Sequence, residues 1–193
     1  MLIVLVYIER ENYIGGNMPG FIIHLATANE YVKKHKNQIE NKQDFIRGCI
    51  YPDLTTKEGK KQTHFGKSSA EPELRTFLEN ISIDTDFNKG YFLHLITDYI
   101  FYNKILQYTS KDIYNDYDIL NRYLLEKYNI EIVEEIKDKV FFKEGKLKIL
   151  NKELVEKTID EASKCDLKTI ENEIIASEYI EKWDEIRKLK RLD

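Results

Sequence analysis

Phe87-Asn-Lys-Gly-Tyr-Phe-Leu-His94-Leu-Ile-Thr-Asp98-Tyr-Ile-Phe-Tyr-Asn-Lys-Ile-Leu-Gln-Tyr108 is the most apolar helix-length run of the chain. At helical spacing Phe92, Leu93, Leu95, Ile96, Tyr99, Ile100, Phe101, Ile105 and Leu106 leave little polar surface. The run therefore predicts a central buried helix, capped by Asp84 or Asp86. His94 and Asp98 lie four residues apart within it and project from one face. Burying a polar group without a partner costs roughly 2–7 kcal/mol even when the group is neutral. The pair therefore needs partners from elsewhere in the chain.

Upstream, Phe21, Ile22, Ile23, Ala26, Ala28, Tyr31 and Val32 predict a helix over 20–35 that carries His24, with Pro19 just before its first turn. A second helix is expected over 38–48, with Gly48 as its stop. Pro52 pushes Tyr51 out of the α region and opens a polar loop to about Ser69, so Asp53 and His64 are placed on that loop. A loop this long is often functional when ordered. Ser68 or Ser69 is expected to cap a helix through Ile81 that tolerates Pro72 in its first turns.

Downstream, amphipathic helices are expected over 113–128 and 131–140, followed by a small β-hairpin over 140–150 with Glu144-Gly145 at its turn. Asn151 and Asp166 read as caps of two final helices, 152–163 and 167 to about 191, the latter packed by Trp183. The class is all-α, a multi-helix bundle with that one small hairpin.

The 193 residues suit one domain. With a formal net charge of −4 and no basic face outside Arg187, Lys188, Lys190 and Arg191, nucleic acid is not an expected partner. Cys49 and Cys165 are too far apart for a metal-ligand pair and read as free thiols in a reducing compartment, with a single disulfide between them as the alternative. The apolar run from Met1 to Ile8 is too short to span a bilayer and has no basic leader, so no transmembrane segment and a cytoplasmic location are expected. Ile14-Gly-Gly-Asn17 before Met18 resembles a translated ribosome-binding site. On that reading residues 1–17 are an N-terminal extension and the helical domain is 18–193, with a metal site in 18–108. If 1–17 is translated, Leu2 to Ile8 is a strand or a docked apolar arm.

The chain has four histidines and none beyond His94. Imidazole and carboxylate together suit zinc and similar divalent ions. Singly, His24, His64 and His94 read as core or solvated residues and Asp53 as a turn residue; together with Asp98 they read as a metal site. His35 lies in a basic run and is expected to be solvated. Tyr51, Phe65 and Tyr91 are close in sequence to these residues and are candidates to line a pocket.

Met18-Pro-Gly-Phe-Ile-Ile-His24-Leu-Ala, Phe45-Ile-Arg-Gly48 leading to Tyr51-Pro-Asp53, Thr63-His64-Phe65 and Gly90-Tyr-Phe-Leu-His94-Leu-Ile-Thr-Asp98-Tyr resemble the zinc-dependent phospholipase C family and its short bacterial relatives over about residues 18–108. That resemblance implies an all-helical fold of the phospholipase C and P1 nuclease type. It also implies His24, His64, His94 and Asp98 as metal ligands, Asp98 able to bridge two ions, and Asp53 as a catalytic general base. The family pattern continues with two histidines and a glutamate that complete a further zinc site, and this chain lacks those histidines. One or two ions are therefore expected, zinc first, with manganese or iron as alternatives.

Two functions follow. One is a metal-dependent hydrolase of phosphoesters, phospholipids included. The other is a non-catalytic helical domain whose structural or vestigial metal site leaves its surface to bind a partner. The helical histidine-aspartate phosphohydrolases are a weaker match, because they usually carry an adjacent His-Asp pair and this chain has none.

Overall fold

The computed structural model describes residues 20–56 and 58–192. The expectations about residues 1–17, Met18 and Pro19 lie outside the described residues. The chain is all-α in class: α1 (Phe21–Lys34), α2 (Lys42–Ile50), α3 (Gly59–Thr63), α4 (Leu74–Asn80), α5 (Asp86–Ile100), α6 (Asp112–Tyr128), α7 (Lys152–Ser163), α8 (Leu167–Ile175) and the short α9 (Glu181–Asp184). The strand content of the described residues is one parallel pairing of β1 (Tyr108–Thr109) with β2 (Lys190–Arg191). No helix among them is long and apolar enough to cross a membrane.

Helix α5 is buried from Gly90 to Ile100, as its all-round apolar sequence requires. Around it lie two apolar clusters. One gathers Phe45, Phe77, Phe92, Leu95, Ile96 and Trp183, and the other gathers Phe21, Ile22, Leu25, Tyr117, Leu120 and Ile159. Helix α1 serves both clusters, and every residue from Phe21 to Ala28 is buried. The cap of α5 is Thr85, whose hydroxyl accepts the Asn88 N–H at 3.1 Å. Asp86 is used otherwise: its carboxylate accepts the N–H groups of Glu40 and Asn41 and so ties the entry of α2 to α5.

Two glycines set the α2–α5 crossing. A Cβ at Gly48 would lie 2.0 Å from the Phe87 carbonyl oxygen, and one at Gly90 would lie 2.0 Å from that of Phe45. Any side chain at either position would hold the backbones apart. Gly48 is therefore an interface residue rather than a stop, and α2 continues to Ile50.

Several expected elements are corrected. The helix predicted from Ser68 or Ser69 begins only at Leu74, after an extended Glu73. Tyr51 stays in the α region despite Pro52, so the expected loop instead opens with a 3-10 turn and carries α3. Helix α5 does not run to Tyr108 but widens into a π turn at Phe101–Ile105. Over 131–140 only a 3-10 turn, Glu134–Ile136, forms. Of this segment Ile136, in the turn, and Val140, after it, are buried.

The β-hairpin over 140–150 is absent, and the segment is irregular. Asp116 on α6 explains it: this fully buried carboxylate accepts the successive main-chain N–H groups of Lys148, Ile149 and Leu150, the last two at 2.7 and 2.8 Å. The donors a ladder would use are already taken.

The predicted final helix breaks after Ile175. Arg75 donates to the carbonyls of Ile174 and Ser177 and grips Asp184 with two hydrogen bonds. That fork holds the chain end as α9 and an extended tail, so Arg187 and the lysines after it do not sit at a helix C-terminus. Trp183 still packs, against Tyr99 at 5.7 Å between ring centroids.

Two stability predictions follow. Gly90→Ala should cost at least about 1–3 kcal/mol, the usual cost of overpacking, in a urea titration. Asp116→Ala, which strands three N–H groups at once, should cost about 1–3 kcal/mol or more by the same measurement.

Candidate metal centre

His24 comes from α1, Asp53 from a 3-10 turn (Tyr51–Asp53), His64 from the end of α3, and His94 and Asp98 from successive turns of α5. The structure brings all five together. They are 0–3 % exposed, which is unusual for so many ionisable groups in one place.

Asp98 is central. Its Oδ1 lies 3.4 Å from His24 Nε2, and its Oδ2 lies 3.2 Å from His64 Nε2 and 3.5 Å from His94 Nε2. Asp53 faces the same space, its Oδ2 4.0 Å from His24 Nε2 and its Oδ1 3.7 Å from His64 Nε2. The His24 and His94 rings stack at 3.8 Å between centroids.

The outward nitrogens of two of the imidazoles are fixed by the main chain. His94 Nδ1 lies 2.7 Å from the Cys49 carbonyl and His64 Nδ1 lies 2.9 Å from the Lys60 carbonyl. A carbonyl can only accept, so each Nδ1 carries the proton. Each neutral ring then presents a lone pair at Nε2, and the two Nε2 atoms face each other at 3.2 Å. Two lone pairs at that distance repel. Either one ring takes up a proton, or a cation lies between them.

The donor set thus fits a divalent ion, and the carbonyls on the far ring nitrogens make hydrogen bonds of the kind that orient metal-binding histidines. His64, His94 and Asp98 form one possible ligand group, and His24, Asp53 and His94 another. Within the site His24 Nδ1, both Asp53 oxygens and Asp98 Oδ2 make no well-aligned hydrogen bond. Buried polar atoms in that state are costly unless something else satisfies them.

Charge is distributed unevenly. Burial lowers the His24 imidazolium, and the neighbouring His94 lowers it further against the pull of Asp98 and Asp53. At His94 burial also pulls downward, but the close Asp98 carboxylate and the charge of Asp53 outweigh it, so His94 is raised. Burial would raise Asp98, yet the charge of His24 and the close approach of the His24, His64 and His94 rings hold it well below the usual carboxylate range.

Sequence reasoning missed three contributors. Lys60, only 6 % exposed, places Nζ 2.7 Å from Asp53 Oδ1. That is an ion-pair contact without the alignment of a hydrogen bond, and both atoms otherwise lack partners. Thr63 donates to the Pro52 carbonyl at 2.8 Å and approaches His64 Nδ1 at 3.2 Å, linking the turn that carries Asp53 to His64. The Cys49 carbonyl is invisible as a ligand orienter in any residue pattern.

Tyr51, Phe65 and Tyr91 form an aromatic wall beside the site. Tyr51 meets Phe87 and Tyr91 edge-on, Phe65 meets Phe77, and the Tyr91 hydroxyl donates to the Thr63 carbonyl. Phe65 follows His64 in the left-handed region at φ 56°, a costly conformation for an aromatic residue. Two cavities, of about 560 and 280 Å³, are lined by residues such as Tyr99, Lys104 and Trp183 and by none of the five site residues. His35 is not simply solvated, since its Nε2 lies 3.2 Å from the Ser163 carbonyl and its ring stacks on Tyr31. Cys49 and Cys165 are free thiols, and burial pushes both up.

No protein-family model matches this chain, and comparison with curated proteins and with solved structures returns no match.

A pH dependence follows. An ion held by His94 would need its free Nε2 lone pair, and the raised His94 holds a proton there as pH falls. Asp98 stays ionised across the neutral range and adds no dependence there. The melting temperature gained on adding zinc should therefore be larger at pH 8 than at pH 6, by differential scanning fluorimetry. Equal gains at the two pH values would contradict the assignment of His94 as a ligand.

Proposed function

We propose that this chain is a metal-dependent hydrolase of phosphoesters that holds one or two divalent ions, zinc foremost, among His24, His64, His94 and Asp98, with Asp53 beside them as general base. The observation that carries the reading is the opposed Nε2 pair of His64 and His94, each ring locked by a main-chain carbonyl on its far side. The order of those residues along the chain supports it, through the resemblance to zinc-dependent phospholipases C.

A bound divalent ion brings the pKa of a coordinated water towards about 7 and neutralises charge developing on phosphoryl oxygens. The chain's own groups would supply the rest. Asp53 presents an oxygen with no well-aligned hydrogen bond, free to accept a proton from attacking water. Asp98, held ionised, provides negative charge through both oxygens, one towards His24 and one towards His64 and His94. Burial among apolar helices lowers the local dielectric and strengthens each of these interactions.

One observation favours a second reading. The five groups are almost wholly buried, as expected for a closed structural site in a non-catalytic domain. The two readings separate in one experiment. Purified protein loaded with zinc or manganese should hydrolyse bis-p-nitrophenyl phosphate or p-nitrophenyl phosphate, and His94→Ala should reduce the rate to background. A wild-type protein that binds metal, melts lower with chelator and cleaves neither ester would instead establish the structural site. Full activity in His94→Ala would refute the catalytic one.

A further inference from the structure

We infer that Lys60 is an internal cation that takes the place of a second metal ion at Asp53, so that the site holds a single divalent ion. The inference rests on the metal reading above and fixes what that reading leaves open, the number of ions.

Lysine is among the residues least often buried, because its ammonium is strongly hydrated. Here Lys60 is 6 % exposed and its Nζ lies 2.7 Å from Asp53 Oδ1, with no hydrogen-bond partner elsewhere. Its position is fixed from both ends. The Lys60 carbonyl receives both the main-chain N–H and the ring Nδ1 of His64, each at 2.9 Å, while the side chain reaches Asp53. One residue thus orients a histidine and neutralises a carboxylate.

The five site residues divide into two positions. His64 Nε2, His94 Nε2 and Asp98 Oδ2 lie within 3.5 Å of one another and suit one ion. His24 Nε2, Asp53 Oδ2 and Asp98 Oδ1 outline a second, with separations of 4.0 and 3.4 Å from the histidine. His94 Nε2 cannot serve both positions, since one lone pair binds one ion. The second position therefore depends on Asp53, and the other oxygen of Asp53 already carries the Lys60 ammonium.

Charge counting points the same way. With neutral histidines, Asp53, Asp98 and Lys60 sum to one negative charge, and one divalent ion leaves the site singly positive. A second ion would leave three positive charges in a buried space and would stand beside the ammonium. Without Lys60 two ions would leave two positive charges rather than three, and no ammonium would stand beside the second.

The test is metal stoichiometry. Wild type, Lys60→Met and Lys60→Arg are equilibrated with excess zinc, freed of unbound ion by gel filtration and weighed by native mass spectrometry. Zinc is kept present during purification, because Lys60→Met leaves Asp53 buried without a counter-charge. One zinc per chain is expected in wild type and Lys60→Arg, and two in Lys60→Met. Two ions in wild type, or one in folded Lys60→Met, would overturn the inference. Manganese-loaded wild type gives a second readout that does not depend on the methionine variant folding. Its electron paramagnetic resonance spectrum should be that of an isolated ion, and an exchange-coupled pair would overturn the proposal. Wild type without zinc would remove the metal reading itself, an outcome distinct from two ions.

Discussion

The backbone-to-backbone crossing of α2 and α5 is the constraint on which the site depends. Gly48 and Gly90 each face a carbonyl of the other helix, and neither position has room for a methyl group. This approach brings the Cys49 carbonyl to 2.7 Å from His94 Nδ1. The hydrogen bond decides which nitrogen of His94 carries its proton and so which one is offered to the site. A helix pair spaced by alanines would lose that bond, and with it the reason for His94 Nε2 to stand as a lone pair opposite His64.

Electrostatics then makes the cluster self-consistent only as a whole. Three imidazoles, two carboxylates and an ammonium are withdrawn from water, where each would otherwise be hydrated at no cost to folding. Asp98 answers all three histidines, and Lys60 answers Asp53. The remaining tension lies between His64 and His94. It is relieved by a proton or by a cation, which is why the raised His94 and the fit to a metal are two views of one geometry. Asp116 shows the other way a buried carboxylate is stabilised, by three main-chain donors, and that arrangement leaves nothing over for a ligand.

What was legible in the sequence follows from how local each cause is. His94 and Asp98 could be placed on one face because helical spacing fixes that face, and His24 could be placed on the helix around it for the same reason. Asp53 and His64 could be joined to them only through an ordered resemblance, since nothing local ties a turn aspartate to a histidine eleven residues on. Gly48 reads as a stop because a glycine looks the same whether it ends a helix or lets another helix approach. The hairpin failed because alternating Leu147 and Ile149 cannot reveal that Asp116, more than thirty residues away, takes the N–H groups a ladder needs. Lys60 stands beside Lys61 in a polar stretch, and only tertiary structure distinguishes the lysine that is buried from the one that is solvated.

The central claim is that a cation belongs between the two opposed histidine nitrogens. Anomalous scattering measured on either side of the zinc edge, from crystals grown with zinc, tests it directly. The account predicts an anomalous peak about 2.0–2.1 Å from Nε2 of both His64 and His94, with an Asp98 oxygen completing the ligand set. A zinc-free site in those crystals, with the two Nε2 atoms still facing each other across a shared proton, would contradict it.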